Sequence, residues 1–215
     1  MFLILLFTNA TINFTLMIPL LILLQLLFKY INHISASIYH KLGTYIFCFL
    51  MAGIFLVTGI PSIKTINLDA NISFNLFDGI VPYYDQYVNN ILLFLPFGLL
   101  LPLLWAKYNF KKTVITGFLL SLTIETMQLF CFRISDVNDL WTNTLGTCLG
   151  YILFLSVNKL SPKIINKFCI NTSFSKKKGK LIYHELYFYF FITWFVIFFI
   201  HPFISDSITK FIYNN

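Results

Sequence analysis

Arginine is almost missing from this chain: Arg133 stands alone among 215 residues that include fifteen Lys and Arg together. Charge of either sign is scarce at 11%, less than half of the roughly 25% usual in soluble domains. That scarcity excludes a soluble globular enzyme, a disordered chain and a coiled coil. Cysteine is limited to Cys48, Cys131, Cys148 and Cys169, none in a CxxC spacing. Neither a zinc site nor a disulfide framework is therefore expected, and a free thiol packs as a small apolar group. The four histidines form no metal-spaced cluster, and none is paired with a nucleophile in the polar stretch described below. No metal and no cofactor are expected. The first apolar run has no Lys or Arg ahead of it, so it lacks the basic segment of a signal peptide and reads as a retained helix.

What is present is apolar. At 58% hydrophobic residues and a mean hydropathy of +0.80, the chain holds enough apolar positions for six membrane-spanning helices of about 20 residues. The runs are continuous rather than alternating, which excludes an outer-membrane barrel. The expected fold is all-α, a polytopic membrane helical bundle with spans within 2–28 and near 42–60, 90–106, 113–132, 139–157 and 186–204. Three parts follow: residues 1–85 with two helices and a loop, a three-helix core at 86–157, and a lysine-rich loop with a last helix at 158–215.

The net charge of +7 reads as a topology signal, and no nucleic-acid partner is expected. Alternate loops are basic: Lys29 and Lys41; Lys107, Lys111 and Lys112; and seven lysines between 159 and 180 put twelve of the fifteen cations on one side. By the positive-inside rule that side is cytoplasmic and both termini lie outside. A bias toward Ile, Asn, Lys and Phe points to an AT-rich genome of a low-GC Gram-positive bacterium.

Polar side chains in hydrocarbon cost about 2.5–3.5 kcal/mol when charged, yet they gather between residues 125 and 143. Glu125 and Gln128 share one helix face. Asp136, Asp139, Asn143, Gly146 and Gly150 follow at spacings of 3, 4, 3 and 4, a stripe within about 80° of arc on a helix. Its upper half is polar, and Gly146 with Gly150 forms a GxxxG packing seam. The third helix adds Asn90, then Pro96, which removes a backbone hydrogen bond, and Gly98. Arg133 brings a planar fork that lysine does not supply. Asn90, Glu125, Gln128, Arg133, Asp136, Asp139 and Asn143 are thus expected to line a polar pocket that opens outward. The competing structural readings are helix capping by Asp136 and Asp139, an Arg133–Asp136 pair, and Glu125 with Gln128 as interhelical glue.

The ordered pattern Asn90, Phe94-x-Pro96-x-Gly98, Glu125-x-x-Gln128, Arg133, Asp136, Asp139, Asn143-x-x-Gly146-x-x-x-Gly150 resembles the VanZ-like family of bacterial membrane proteins. The resemblance covers about residues 86–157; the first two helices carry no motif and the last helix has no matching counterpart. It implies a multi-pass protein of the cell membrane associated with lower susceptibility to teicoplanin and related lipoglycopeptides. On this reading the pocket binds an envelope ligand such as a lipid-linked cell-wall precursor or a lipid-tailed antibiotic, with the lipid bilayer as its surroundings. The alternative is an intramembrane enzyme on a lipid-linked substrate, with Glu125 as general base; a transporter is the third reading.

Overall fold

The computed structural model describes residues 2–32, 36–68, 71–75, 84–131, 133–170, 184–204 and 207. Several charges behind the orientation argument, among them Asp69, Asp78, the lysines at 176–180, Asp206 and Lys210, lie outside the described residues.

The chain is an all-helical membrane bundle. Its elements are α1 (Phe2–Asn32), α2 (Ile38–Thr58), β1 (Ile72–Ser73), α3 (Tyr84–Leu104), α4 (Phe110–Gln128), β2 (Ser135–Asp136), α5 (Val137–Leu160), α6 (Pro162–Phe168) and α7 (Glu185–Phe195), the last continued by a π-helical turn at Val196–Ile200. Local chemistry sets the ends. The Ser37 hydroxyl accepts from the His40 amide at 3.0 Å to start α2, and Gly59, at φ 65°, closes it by donating to the Phe55 carbonyl. That left-handed conformation is the reason for glycine there. The Asn109 side chain accepts from the Lys112 amide to start α4, and Pro162 opens α6, where its missing N–H is not needed. Within α1, Thr11 and Thr15 bond to carbonyls one turn back on their own helix, so their polarity is satisfied without a partner helix; the Asn13 amide N–H does the same toward Asn9, while its buried oxygen has no partner among the described residues.

Five helices are long and apolar enough to cross a membrane: α1, α2, α3, α5 and α7 with its π turn. The expected count of six is one higher. The difference is α4, 19 residues in which Thr113, Ser121, Glu125 and Gln128 are buried, so the polar face it turns to its neighbours lowers its hydropathy. Boundaries also move. The third helix begins at Tyr84, six residues ahead of the expected Asn90, because Asp85 suits the positive end of the helix dipole and the polar residues after it continue the helical turn. Asn90 therefore sits well inside the helix.

The tightest packing joins α3 to α5. A Cβ on Gly146 would run into the Ile91 carbonyl oxygen, one on Gly150 into the Leu95 carbonyl and Gly98, and one on Gly98 into the Thr147 backbone. On the far side of α5, Gly117 of α4 abuts the Thr147 side chain. Phe47, Phe94, Phe97, Leu101, Leu104 and Trp105 fill the centre of the bundle and are fully buried, with the Phe47 and Trp105 rings edge to face at 5.4 Å.

A buried polar node ties α7 to this core at the lysine-rich end. Glu185 accepts from the Trp105 indole N–H at 2.9 Å and the Tyr189 hydroxyl at 2.9 Å, and lies 3.1 Å from His40 Nε2. His40 Nδ1 is 2.8 Å from the Phe168 carbonyl. Both imidazole nitrogens thus face oxygen atoms, one on the Glu185 carboxylate and one on the Phe168 carbonyl.

The glycine seam gives a stability prediction. Gly146→Ala should destabilise by about 1–3 kcal/mol, the cost of overpacking a close contact. Gly53→Ala, where no atom lies within 4 Å of the new Cβ, should hold or slightly raise stability through better helix propensity. Thermal unfolding of both in detergent, followed by circular dichroism, gives the comparison; equal melting temperatures would remove the seam as a close contact.

Candidate functional site

Helical periodicity puts Ser121, Glu125 and Gln128 on one face of α4, directed at α5, and all three are buried. On α5, Asp139 and Asn143 occupy the turns above Gly146. On α3, Gln86 and Asn90 lie one turn apart. The turn between α4 and α5 adds Arg133, Ser135 and Asp136, and the end of α2 adds Thr58 and Gly59.

Hydrogen bonds join these groups rung by rung. The Asn143 amide donates to Ser121 Oγ at 2.9 Å, and that hydroxyl donates to the Asp139 carbonyl at 3.4 Å. The Asn90 amide donates to Asp139 Oδ1 at 2.6 Å, with Gln86 at 3.5 Å on the same oxygen. Glu125 Oε2 accepts from the Ser135 hydroxyl at 3.0 Å and the Asp136 amide at 2.8 Å. The Gln128 amide donates to the Thr58 carbonyl at 2.7 Å, and Arg133 Nη1 reaches the same oxygen at 3.0 Å and the Val57 carbonyl at 3.4 Å. Those carbonyls belong to the last turn of α2, where acceptors have no helical donor. The guanidinium lies against Gly59: a Cβ there would stand 2.6 Å from Nε.

All seven sequence-expected residues therefore meet at one end of the bundle. Their exposure differs. Glu125, Gln128 and Asn143 are buried, Asn90, Asp136 and Asp139 half-buried, and Arg133 exposed. Asp136 caps α5 by accepting from the Asn138 amide at 2.9 Å, the structural reading. Arg133 takes α2 carbonyls where an Asp136 pair was an alternative. A loop strand covers the turn: Ile72 and Ser73 pair with Ser135 and Asp136, and Asn138 donates to the Asn75 carbonyl at 2.8 Å. Two described clefts, of about 460 and 370 Å³, run along another face of α4 and include none of the seven.

Within this cluster two buried amide oxygens, Gln128 Oε1 and Asn143 Oδ1, have no hydrogen-bond partner among the described residues; Asn13 Oδ1, away in α1, is a third. An unmade buried bond costs about 1–3 kcal/mol, so each is a place for an added donor. No group of three or more His, Cys, Asp or Glu suited to a metal occurs among the described residues.

Sequence reading missed Ser121, Ser135, Gln86, Thr58 and Gly59. Ser121 and Gln86 each stand four residues before an identified polar residue, so the helical stripe carried a signal for them. Gly59 follows an apolar run and precedes Ile60-Pro61, the pattern of a helix stop. Ser135 and the Thr58 carbonyl gave none.

The carboxylate of Glu125 is the joint between α4 and the start of α5. Glu125→Ala should cost about 1–3 kcal/mol by leaving Ser135 and the Asp136 amide without an acceptor, whereas Glu125→Gln keeps an oxygen there and should cost less. Chemical or thermal unfolding of the two variants tests this, and an equal loss in both would deny the joint.

The family model described as VanZ/LLP1 matches residues 47–158, which begins inside α2 and runs nearly to the end of α5. Protein VanZ of Enterococcus faecium is 35% identical over 77 residues, 35% of this chain and 48% of that protein; the match spans about half the length of this relative. No solved structure matches. The matched stretch holds Gly59, Asn90, the α4 face, Arg133 and the α5 stripe together, and with more than half of its length in that match the chain belongs to the VanZ/LLP1 family.

Proposed function

We propose that this membrane protein acts in the Gram-positive cell envelope, where the polar cluster between Asn90 and Asn143 holds a polar ligand from the outer side and lowers susceptibility to teicoplanin-type lipoglycopeptides. The ligand class is a lipid-linked cell-wall precursor or the lipoglycopeptide itself. Both carry sugar and peptide hydroxyls and amides together with anionic groups.

The observation that carries this reading is that the buried oxygens of Gln128 and Asn143 have no partner among the described residues. Packing alone does not need them, because an apolar residue at either site would avoid the cost of an unmade bond. Ligand donors would complete them. Asn90, Asp136 and Asp139, half-buried at the rim, offer further hydrogen bonds, and the exposed Arg133 holds a guanidinium suited to phosphate or carboxylate. Glu125 orients the rim through Ser135 and the Asp136 amide. The alternation of basic loops in the sequence supports an outward orientation of this end and of both termini.

Two experiments test the proposal. In a deletion strain, wild-type protein should restore the teicoplanin phenotype. Gln128→Leu, Asn143→Leu and Arg133→Lys, each present in the membrane at wild-type level by immunoblot, should weaken it several-fold, about the effect of losing one hydrogen bond. Complete restoration by all three removes the site. For orientation, a cysteine replacing exposed Gln86 in a chain cleared of native cysteines should react with an impermeant maleimide added to intact cells; labelling only after lysis reverses the topology.

A further inference from the structure

The other faces of α4 carry a second candidate site, independent of the polar cluster. α4 packs on α5, and α7 packs on α2 and α1, which leaves a gap between α4 and α7. Two clefts fill it. The one nearer the lysine-rich end, of about 370 Å³, is lined by Phe55, Thr116, Leu120, Tyr187, Phe191 and Trp194 among others. The one nearer Arg133, of about 460 Å³, is lined by Pro61, Ile66, Leu122, Phe130 and Phe198 among others. Thr123 and Met127 line both, so the two form one groove. From Thr116 to Phe130 it follows α4 for about 20 Å, a large part of the ~30 Å hydrocarbon thickness. Its walls are almost wholly apolar, and the π turn at the end of α7 brings Phe198 into line with Trp194, their rings stacked at 5.0 Å.

One end of the groove is cationic. Lys112 precedes Thr116 by one turn on the same face of α4, and the Thr116 hydroxyl donates to its carbonyl at 2.7 Å. Lys107 reaches the opposite wall, its Nζ 5.9 Å from the centre of the Tyr187 ring. Burial first, and the charge of Lys112 second, hold the Lys107 ammonium below the ordinary lysine range, with Glu185 opposing. The two lysines therefore flank the same end of the groove, Lys112 on the α4 wall and Lys107 beside Tyr187 on the other.

We propose that this groove binds a single anionic phospholipid, with an acyl chain along Thr116, Thr123 and Met127 and the phosphate at Lys107 and Lys112. The volumes lie in the range of ligand sites, about 300–1,000 Å³. The two lysines select a phosphate diester without a compensating choline or ethanolamine. By the positive-inside rule the lipid comes from the cytoplasmic leaflet.

The test uses the full chain, purified in detergent, stripped of lipid and titrated with phosphatidylglycerol or phosphatidylcholine under native mass spectrometry. Phosphatidylglycerol should bind one to one and more tightly than phosphatidylcholine. Lys112→Gln, at an exposed position, should weaken phosphatidylglycerol about fivefold and leave phosphatidylcholine unchanged; Lys107→Gln with Lys112→Gln should weaken it further, each lysine near the surface counting for about that factor. Thr123→Phe, exposed and lining both clefts, should abolish binding of both lipids while circular dichroism stays native. Equal affinity for the two lipids overturns the headgroup assignment. Unchanged binding in Thr123→Phe overturns the groove. A dimer that lipid does not dissociate, and that Thr123→Phe disrupts, assigns the groove to a second copy instead.

Discussion

Backbone contact between α3 and α5 sets the distance scale of the molecule. Helices faced with ordinary side chains stand about 8–10 Å apart, and within lipid there is little hydrophobic force to draw them closer, so small residues at the interface decide how near they come. Here Gly98, Gly146 and Gly150 remove the side chains that would hold the helices off. The effect reaches beyond the seam. Asn90 is on α3 one residue before Ile91, whose carbonyl touches Gly146, and Asp139 is two turns above Gly146 on α5. A short amide bonds a short carboxylate at 2.6 Å only because the two backbones are already in contact below them.

Hydrogen bonding then organises the two ends separately. At the Arg133 end, the cluster joins α3, α4, α5 and the last turn of α2 through side chains that meet backbone carbonyls and amides. At the other end, Glu185 gathers Trp105, Tyr189 and His40. The two nodes differ in completeness. The Glu185 carboxylate is bonded on both oxygens and fully enclosed, the pattern of a fastening. The Arg133 end keeps two amide oxygens without donors and several half-buried polar groups at its rim. In a low-dielectric setting an unmade bond is costly, so the second arrangement is the one that an incoming polar molecule improves.

The parts legible in the sequence are those carried by periodicity within one helix. Continuous apolar runs gave the spans, the 3-4-3-4 stripe on α5 gave its polar upper half and small-residue lower half, and the Glu125–Gln128 spacing gave the buried face of α4. What periodicity does not encode is which backbone carbonyl a side chain finds across the fold. Thr58 and Val57 receive Gln128 and Arg133 from 70 and 76 residues away, and no local pattern marks a carbonyl as vacant except the helix end at Gly59. The Glu185 node was hidden for the same reason: its four members come from α2, the end of α3 and α7, and singly each reads as an interfacial residue. The hydropathy that suggested a fourth span also averages over faces. In α4 several large apolar residues are outward, with Ile115, Phe118, Leu119 and Leu122 exposed, while Thr113, Ser121, Glu125 and Gln128 are buried, an inversion that a mean over the helix cannot register.

That inversion bears on how α4 is held in a bilayer. A helix with Glu125, Gln128 and Ser121 on one face is costly to surround with lipid, so its placement depends on α5 receiving that face, through the Asn143–Ser121 bond, the Asp136 amide on Glu125 and the close fit of Gly117 to Thr147. Once the polar face is occupied, the remaining surface of α4 is largely apolar, and its side toward α7 faces the two clefts. The same sequence feature therefore accounts for both candidate sites. Polarity turned inward builds the cluster on one side of α4, and the apolar residues it displaces to the other side line a furrow whose walls suit an apolar occupant that brings few hydrogen bonds of its own.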